Sequence, residues 1–151
     1  MTHRAQQIIA ATAAALAASS SLGAAVYTHR RLSLSDEDQE LPAVSVNYGS
    51  DDPLSDLGVT NIAFIDSLLE LAVTLVARGD SEQDVLDELL RLRAAQHVAL
   101  MADRSLGLAF VIDTRYGGAA APDVDVSLNR PAGALTCRWL VHYRMNLSDP
   151  N

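Results

Sequence analysis

The stretch that decides the fold is LTCRWLVHYRM, residues 135–145. Its apolar side chains recur at every second residue, which is the period of a strand with one buried face. One parity carries Leu135, Cys137, Trp139, Val141, Tyr143 and Met145. The other parity carries Thr136, Arg138, His142 and Arg144, with Leu140 as the exception. We therefore predict a long strand whose first face lies in the core and whose second face meets water or a partner.

Working outward from this strand, four other segments have strand patterns. They are residues 41–48, which Gly49 bounds, and residues 62–77, 108–115 and 123–128. Residues 62–77 are apolar enough for a helix, but Asp66 and Glu70 share one parity while most large apolar residues share the other, which favours a strand. Asp66 and Ser67 are expected to mark a bulge or a break in it. Residues 116–122 are expected to form a turn or loop rich in glycine and alanine.

Two segments have helical patterns. Residues 8–22 are rich in alanine, carry larger apolar side chains at Ile8, Ile9, Leu16 and Leu22, and precede Gly23. A secretory signal is the alternative for this run, but Arg4 is the one arginine before it and alanine dominates it, so a helix seated on a sheet fits better. The second helix is predicted to begin at the N-cap Ser81, with Asp84 three residues on, to reach Met101 and to stop at residues 105–107.

These elements predict an α+β fold in which two helices pack on one face of an antiparallel or mixed β-sheet. The length of 151 residues suits a single domain over residues 1–151. The formal net charge is −8, from 11 Lys plus Arg against 19 Asp plus Glu, and all the cations are arginine. An acidic balance disfavours a free-standing binder of nucleic acid or of an anionic membrane surface.

Groups for catalysis or metal binding are not arranged in any familiar pattern. The four histidines, His3, His29, His97 and His142, fall on four different elements without the spacing of a metal pair. Cys137 is the one cysteine, so neither an internal disulfide nor a cysteine-based zinc site is available. We expect no catalytic residues, no cofactor and no metal, and hence no enzyme.

Two acidic stretches are predicted to be exposed loops. Residues 36–40 follow the basic trio His29, Arg30 and Arg31, and residues 50–58 contain a proline and a glycine. Loops held by a rigid sheet often carry binding residues, although a solvated loop that serves solubility is the alternative. The candidate interface or lumen residues are therefore Asp36, Glu37, Asp38, Asp51, Asp52 and Asp56 from the loops, and Arg138, His142 and Arg144 from the polar side of the last strand.

The order and spelling of several segments carry a family resemblance. They are Val26-Tyr27-x-x-Arg30, Leu41-Pro42-Ala43-Val44, Met101-Ala102-Asp103-x-x-Leu106-Gly107, Val111-Ile112-Asp113-Thr114-Arg115-Tyr116 and Trp139-x-Val141-x-Tyr143-Arg144. In this order, and over nearly the whole chain, the sequence resembles the tail terminator proteins of long-tailed phages, the family of lambda's minor tail protein U. The ordered set carries the resemblance, since each segment is short.

The resemblance implies a structural virion protein of the phage tail. Its subunits would form a homo-oligomeric ring, a hexamer in this family, on the end of the tail tube next to the head, after assembly in the host cytoplasm. The implied partners are other copies of the chain, the tail tube protein and the head-tail connector protein. No membrane is implied. DNA would pass through the lumen without specific binding, and an acidic lumen would repel its phosphates.

Two other functions remain open from the sequence. A phage neck or head-completion subunit would share the size and the acidity. A secreted small binding domain with a cleaved N-terminal signal would instead lose residues 2–22, which mass spectrometry of the mature N-terminus would detect.

Overall fold

The computed structural model describes residues 2–35, 40–54, 63–146, 148–149 and 151 of the chain. Over these residues the order of elements is α1 (Arg4–Ala17), β1 (Ala25–Thr28), β2 (Ala43–Pro53), β3 (Phe64–Arg78), α2 (Glu82–Met101), β4 (Val111–Ala119), β5 (Asp123–Asp125) and β6 (Ala132–Asn146). The strands form one sheet in the order β1-β2-β3-β6-β4, with β5 paired to β6. β1 runs parallel to β2 and the other pairings are antiparallel, so the sheet is mixed.

The core lies between one face of this sheet and both helices. β3 and β6 pair along their whole length, which sets Leu71 opposite Trp139 and Val73 opposite Cys137. All four side chains are fully buried. Helix α1 packs on β1 and β2, α2 packs on β3 and β6, and the two helices contact each other. The predicted α+β fold with two helices on one face is confirmed, as is the alternation along residues 135–145.

Helix α1 is shifted toward the N-terminus relative to the prediction. It begins where the His3 Nδ1 accepts a hydrogen bond from the Ala5 N–H at 3.1 Å, and it ends at Ala17 instead of residue 22. The serines that follow favour turns over helix, because their hydroxyls compete for backbone groups. Leu22 still reaches the core, and Gly23 has a φ of +57°, which allows the chain to turn there.

Helix α2 starts as predicted, since the Ser81 hydroxyl accepts a hydrogen bond from the Asp84 N–H at 3.1 Å. It ends at Met101, ahead of the predicted stop at residues 105–107. There the Asp103 carboxylate accepts hydrogen bonds from the N–H groups of Ser105 and Gly107, both at 2.9 Å, and closes a turn. Over the described residues, no helix combines the length and the hydropathy needed to cross a membrane.

The prediction that residues 50–58 form a loop is wrong for its first part. Strand β2 does not stop at Gly49 but continues to Pro53, with Asp51 opposite Leu69 and Asp52 opposite Leu68. Gly49 lies at a register shift, where an added Cβ would stand 2.9 Å from the Glu70 carbonyl oxygen. The glycine thus permits a β-bulge and a close approach of two strands instead of ending the strand.

Three other strand boundaries differ from the prediction. β4 begins at Val111 and runs through Gly117 and Gly118 to Ala119, so most of the predicted loop 116–122 is strand with a bulge. β5 ends at Asp125, three residues before the predicted end. β3 is continuous through Asp66 and Ser67, because both residues keep their partners on β6 and no bulge forms.

The other side of the sheet, here called the outer face, carries no helix among the described residues. Its positions on β3 include Asp66, Leu68 and Glu70, which alternate with the buried residues. Residues 29–35 cross this face near its β1 side, where Arg78 Nη2 donates to the Leu34 carbonyl oxygen at 2.9 Å. The rest of the outer face is the surface on which the predicted functional side chains of β6 lie.

Candidate functional site

The centre of the outer face carries ion pairs between β3 and β6. Arg144 lies opposite Asp66 in the register, and its Nε and Nη2 donate to the Asp66 Oδ1 and Oδ2 at 2.7 and 3.1 Å. The His142 Nε2 lies 3.2 Å from the Asp66 Oδ2. Further along, the Arg138 Nη1 lies 3.7 Å from the Glu70 Oε2, and its Nη2 donates to the Gly117 carbonyl oxygen at 3.0 Å.

The two-pronged contact fixes the charge of both partners. Hydrogen bonds from the Arg144 guanidinium lower the pKa of Asp66 below its ordinary value, against a smaller opposing effect of burial. The same bonds raise the pKa of Arg144. A carboxylate and a guanidinium that hold each other in one geometry form a rigid polar feature on an otherwise open sheet.

Apolar side chains surround these ion pairs. Leu54 and Phe64 are about half exposed, at 49% and 50%. Leu54 and Leu68 line a cleft of about 140 Å³ together with Leu140 and His142. We call this surface the outer patch, defined as Leu54, Phe64, Asp66, Leu68, Leu140, His142 and Arg144. Its mixture of exposed leucine and phenylalanine with fixed ion pairs is typical of a surface that contacts another protein.

The cleft is closed on its β4 side by a second ion pair. Asp113 and Arg115 are the β4 residues that line it. The Arg104 Nε and Nη2 donate to the two Asp113 oxygens at 2.6 and 2.7 Å, and these bonds lower the pKa of Asp113. Neither Arg104 nor Asp113 was predicted as a site residue, since only the register of β4 on β6 brings Asp113 opposite His142.

The structure brings only some of the predicted site residues together. Arg138, His142 and Arg144 lie together on the outer face, where the alternation of β6 places them. Asp52 is exposed at the end of β2. Asp36, Glu37, Asp38 and Asp56 lie outside the described residues, so their predicted exposure in loops stays a prediction. The role of the whole set at an interface or a lumen also stays a prediction.

Asp51 has a structural contact that the sequence analysis did not anticipate. Its Oδ2 accepts a hydrogen bond from the Tyr143 hydroxyl at 2.6 Å. Burial is the main cause that raises the pKa of Tyr143, and the hydrogen bond to the Asp51 carboxylate raises it further. The phenol therefore stays protonated and can donate this hydrogen bond. Because Tyr143 is fully buried, this hydrogen bond gives Asp51 a structural role, in which it links β2 to β6.

A second surface feature lies at the β1 side of the outer face. His29, Arg30 and Arg31, here called the basic bend, line an open cleft of about 380 Å³ with Asn47 and Thr74. The trio is visible in the sequence, but its position in the fold is not. That position depends on the pairing of β1 with β2 and on the left-handed backbone of His29, whose φ is +53°.

Helix α2 carries a third exposed surface. The Arg93 Nε donates to the Tyr116 hydroxyl at 3.1 Å, and the His97 ring lies 5.6 Å from the Tyr116 ring. Both side chains lie exposed at the margin of the helix's apolar face, beside the exposed Leu90 and Val98. These contacts attach the outside of α2 to the β4 edge.

Groups that bind metals are dispersed through the described residues, where no three His, Cys, Asp or Glu side chains gather as a metal site would require. Cys137 is fully buried under α2. Burial raises the pKa of its thiol, so the reactive thiolate form is disfavoured.

Comparisons with known proteins find little likeness in sequence to this chain. No protein-family model matches it, and no curated protein matches it. Among solved structures, a chain of the "Virion of native gene transfer agent (GTA) particle" is similar at 14% identity, over 89% of this chain and 94% of that chain, with a TM-score of 0.49. A likeness at this identity and TM-score carries no functional argument, so the assignment below rests on the sequence and on the surfaces described above.

Proposed function

We propose that this chain is a structural protein of a phage virion, a tail terminator whose copies form a ring on the end of the tail tube next to the head. The ring ends tail polymerisation and joins the tail to the head-tail connector protein. The family resemblance over nearly the whole chain supports this role. The outer patch is the structural observation that carries it.

The outer patch suits a lasting contact with another protein better than it suits a small ligand. It lies on the two 15-residue strands at the centre of the sheet, which the core on the opposite side holds in place. Its ion pairs are already formed, so little side-chain freedom is lost when a partner covers it. In the proposed ring this patch contacts the tail tube protein or the connector.

The charge of the chain suits a protein through which DNA must pass. Because each copy has a net charge of −8, a ring of several copies would have a strongly negative electrostatic potential. An acidic lumen would repel phosphates and let DNA slide without specific binding. The proposed role needs neither a cofactor nor a catalytic step.

Complementation of a phage that lacks this chain tests the function. Without the chain, electron microscopy should show overlong tails and the infectious titre should fall, and the wild-type chain should restore both. Heads without tails, together with free tails of normal length, would indicate a neck or head-completion subunit instead. Normal particles made without the chain, or a mature protein that has lost residues 2–22, would contradict the tail terminator role.

A further inference from the structure

A basic cluster at one edge of the sheet and an acidic pair at the β5 end of the opposite edge lie on the same face. At the β1 edge, the basic bend places His29, Arg30 and Arg31 beside the outer face. At the opposite edge, β5 contributes Asp123 and Asp125. A subunit with a cationic edge and an anionic edge has matching surfaces for identical neighbours on both sides.

The basic bend is held in place by contacts within the subunit. The fully buried Ser45 donates its hydroxyl to the Arg30 carbonyl oxygen at 2.6 Å and accepts from the Arg30 N–H at 3.3 Å. The Arg30 guanidinium stacks over the Tyr27 ring at 4.3 Å. Over the described residues, neither Arg30 nor Arg31 forms an ion pair, although the chain as a whole has an excess of acid.

The acidic edge is equally well defined. Val124 faces the helix layer, since an added Cβ on Gly133 would stand 2.7 Å from Val85 and 3.1 Å from Val124. Asp123 and Asp125, which flank Val124, therefore lie on the outer side of β5. The Asp125 Oδ1 accepts from the hydroxyl and the N–H of Ser127 at 2.6 and 2.9 Å, which fixes the carboxylate.

We propose that copies of this chain meet edge to edge, so that the cleft of the basic bend of one copy receives Asp123 and Asp125 of the next copy. This inference rests on the proposed ring and names the contact that closes it. The contact joins two different surfaces, so each copy uses its cationic edge on one side and its anionic edge on the other. Like edges repel, which gives every copy in the ring the same orientation.

Reversal of charge at each edge tests the contact. One variant carries Arg30→Glu and Arg31→Glu, and the other carries Asp123→Arg and Asp125→Arg. Each variant alone presents two edges of like charge, so its self-association in sedimentation at low salt should weaken on the order of 100-fold. An equal mixture of the two variants should recover assembly, because each then meets an edge of opposite charge.

A matched control separates an edge effect from a change in total charge. Asp87→Arg makes the same charge change as Asp123→Arg at an exposed position of α2. It should assemble as the wild type does. Arg31→Glu and Asp123→Arg as single changes keep the stacked Arg30 and the turn at Asp125 intact, so they test the contact if a double variant does not fold.

The same variants are scored in the complemented phage, where the tube end supports the ring. Loss of titre with either variant alone and its recovery when both are expressed together would support the edge contact. The edge contact would be overturned if each variant alone gave wild-type titre and assembly, or if the mixture did not recover. The tail terminator role would stand in either case. Normal tails without the chain would instead overturn the role, and sedimentation of the purified variants would still decide the contact.

Discussion

The inner and outer faces of β3 and β6 belong to the same two strands, but alternate residues give them different side chains. On the inner face Leu71, Val73 and Trp139 are fully buried against the helices. On the outer face Asp66 and Arg144 pair in partial contact with water, with side chains 27% and 54% exposed. Burial of large apolar side chains stabilises the fold, whereas partly exposed ion pairs contribute little to it. The inner face therefore determines stability, and the outer face is free to determine contacts.

The sharpest way to break this division is to truncate the inner face. Trp139→Ala should lower the free energy of unfolding by about 3–5 kcal/mol, because the indole is fully buried and leaves a cavity. Chemical denaturation measures the loss, which is a large part of the stability of a small domain. A stable, well-folded variant that merely fails to assemble would show that Trp139 acts at an interface instead.

A smaller effect is expected where the inner face meets a carboxylate. Tyr143→Phe removes the hydrogen bond to Asp51 and should cost about 1.5–3 kcal/mol, as for other hydrogen bonds to charged groups. Tyr116→Phe is the matched control, since its hydroxyl accepts from Arg93 at a partly exposed position. It should cost less than about 0.5 kcal/mol. Equal losses in thermal denaturation would contradict the structural role of Asp51.

On the outer face, stability and assembly should separate. Arg144→Gln should lower the free energy of unfolding by less than about 1 kcal/mol, since the ion pair is partly exposed. It should nevertheless impair tail completion, measured as titre and tail length in the complemented phage. Arg91→Gln breaks an ion pair with Glu88 on α2, together with hydrogen bonds to the carbonyl oxygens of Ser21 and Leu22, and serves as the control for tail completion. Equal impairment of tail completion by both variants would contradict the role of the outer patch as a contact surface.

The pH dependence of the Asp66–Arg144 pair sharpens the same contrast. The pKa of Asp66 is lowered in the folded chain, so its contribution is present above the unfolded value near 3.8 and is lost as the pH falls through the folded value. The small difference in melting temperature between the wild type and Asp66→Asn should therefore exist at neutral pH and vanish in acid. A difference that persists at low pH would mean that Asp66→Asn perturbs packing instead of charge.

The smallest effect on stability is expected at the end of β2. Asp52→Asn should leave the melting temperature unchanged, because Asp52 is exposed. Asp51→Asn should lower it, because its neutral amide accepts the Tyr143 hydrogen bond more weakly. Differential scanning calorimetry of both variants tests whether the two adjacent aspartates differ in their contribution to stability. The sequence alone does not distinguish them.

The alternation of residues 135–145 predicted the central strand and its two faces, because the period of a strand follows directly from backbone geometry. The bulges at Gly49 and Gly117 escaped prediction, because glycine is typical of turns and only the pairing with the neighbouring strand shows that each strand continues. Arg138, His142 and Arg144 were predicted to share a face, yet their pairing with Asp66 and Glu70 depends on the register between distant segments. The parallel pairing of β1 depends likewise on contacts remote in sequence.

The two register shifts in β4, between Val111 and Asp113 and between Tyr116 and Gly118, have a consequence for the chain at high concentration. An uninterrupted edge strand offers a regular row of backbone donors and acceptors on which a foreign strand can grow, and this leads to aggregates and fibres. Bulges break that row twice within nine residues. At the other edge, β1 offers four residues before His29 turns the chain away. The backbone at both edges of the sheet is therefore protected from templated polymerisation, even where many copies of the chain are close together.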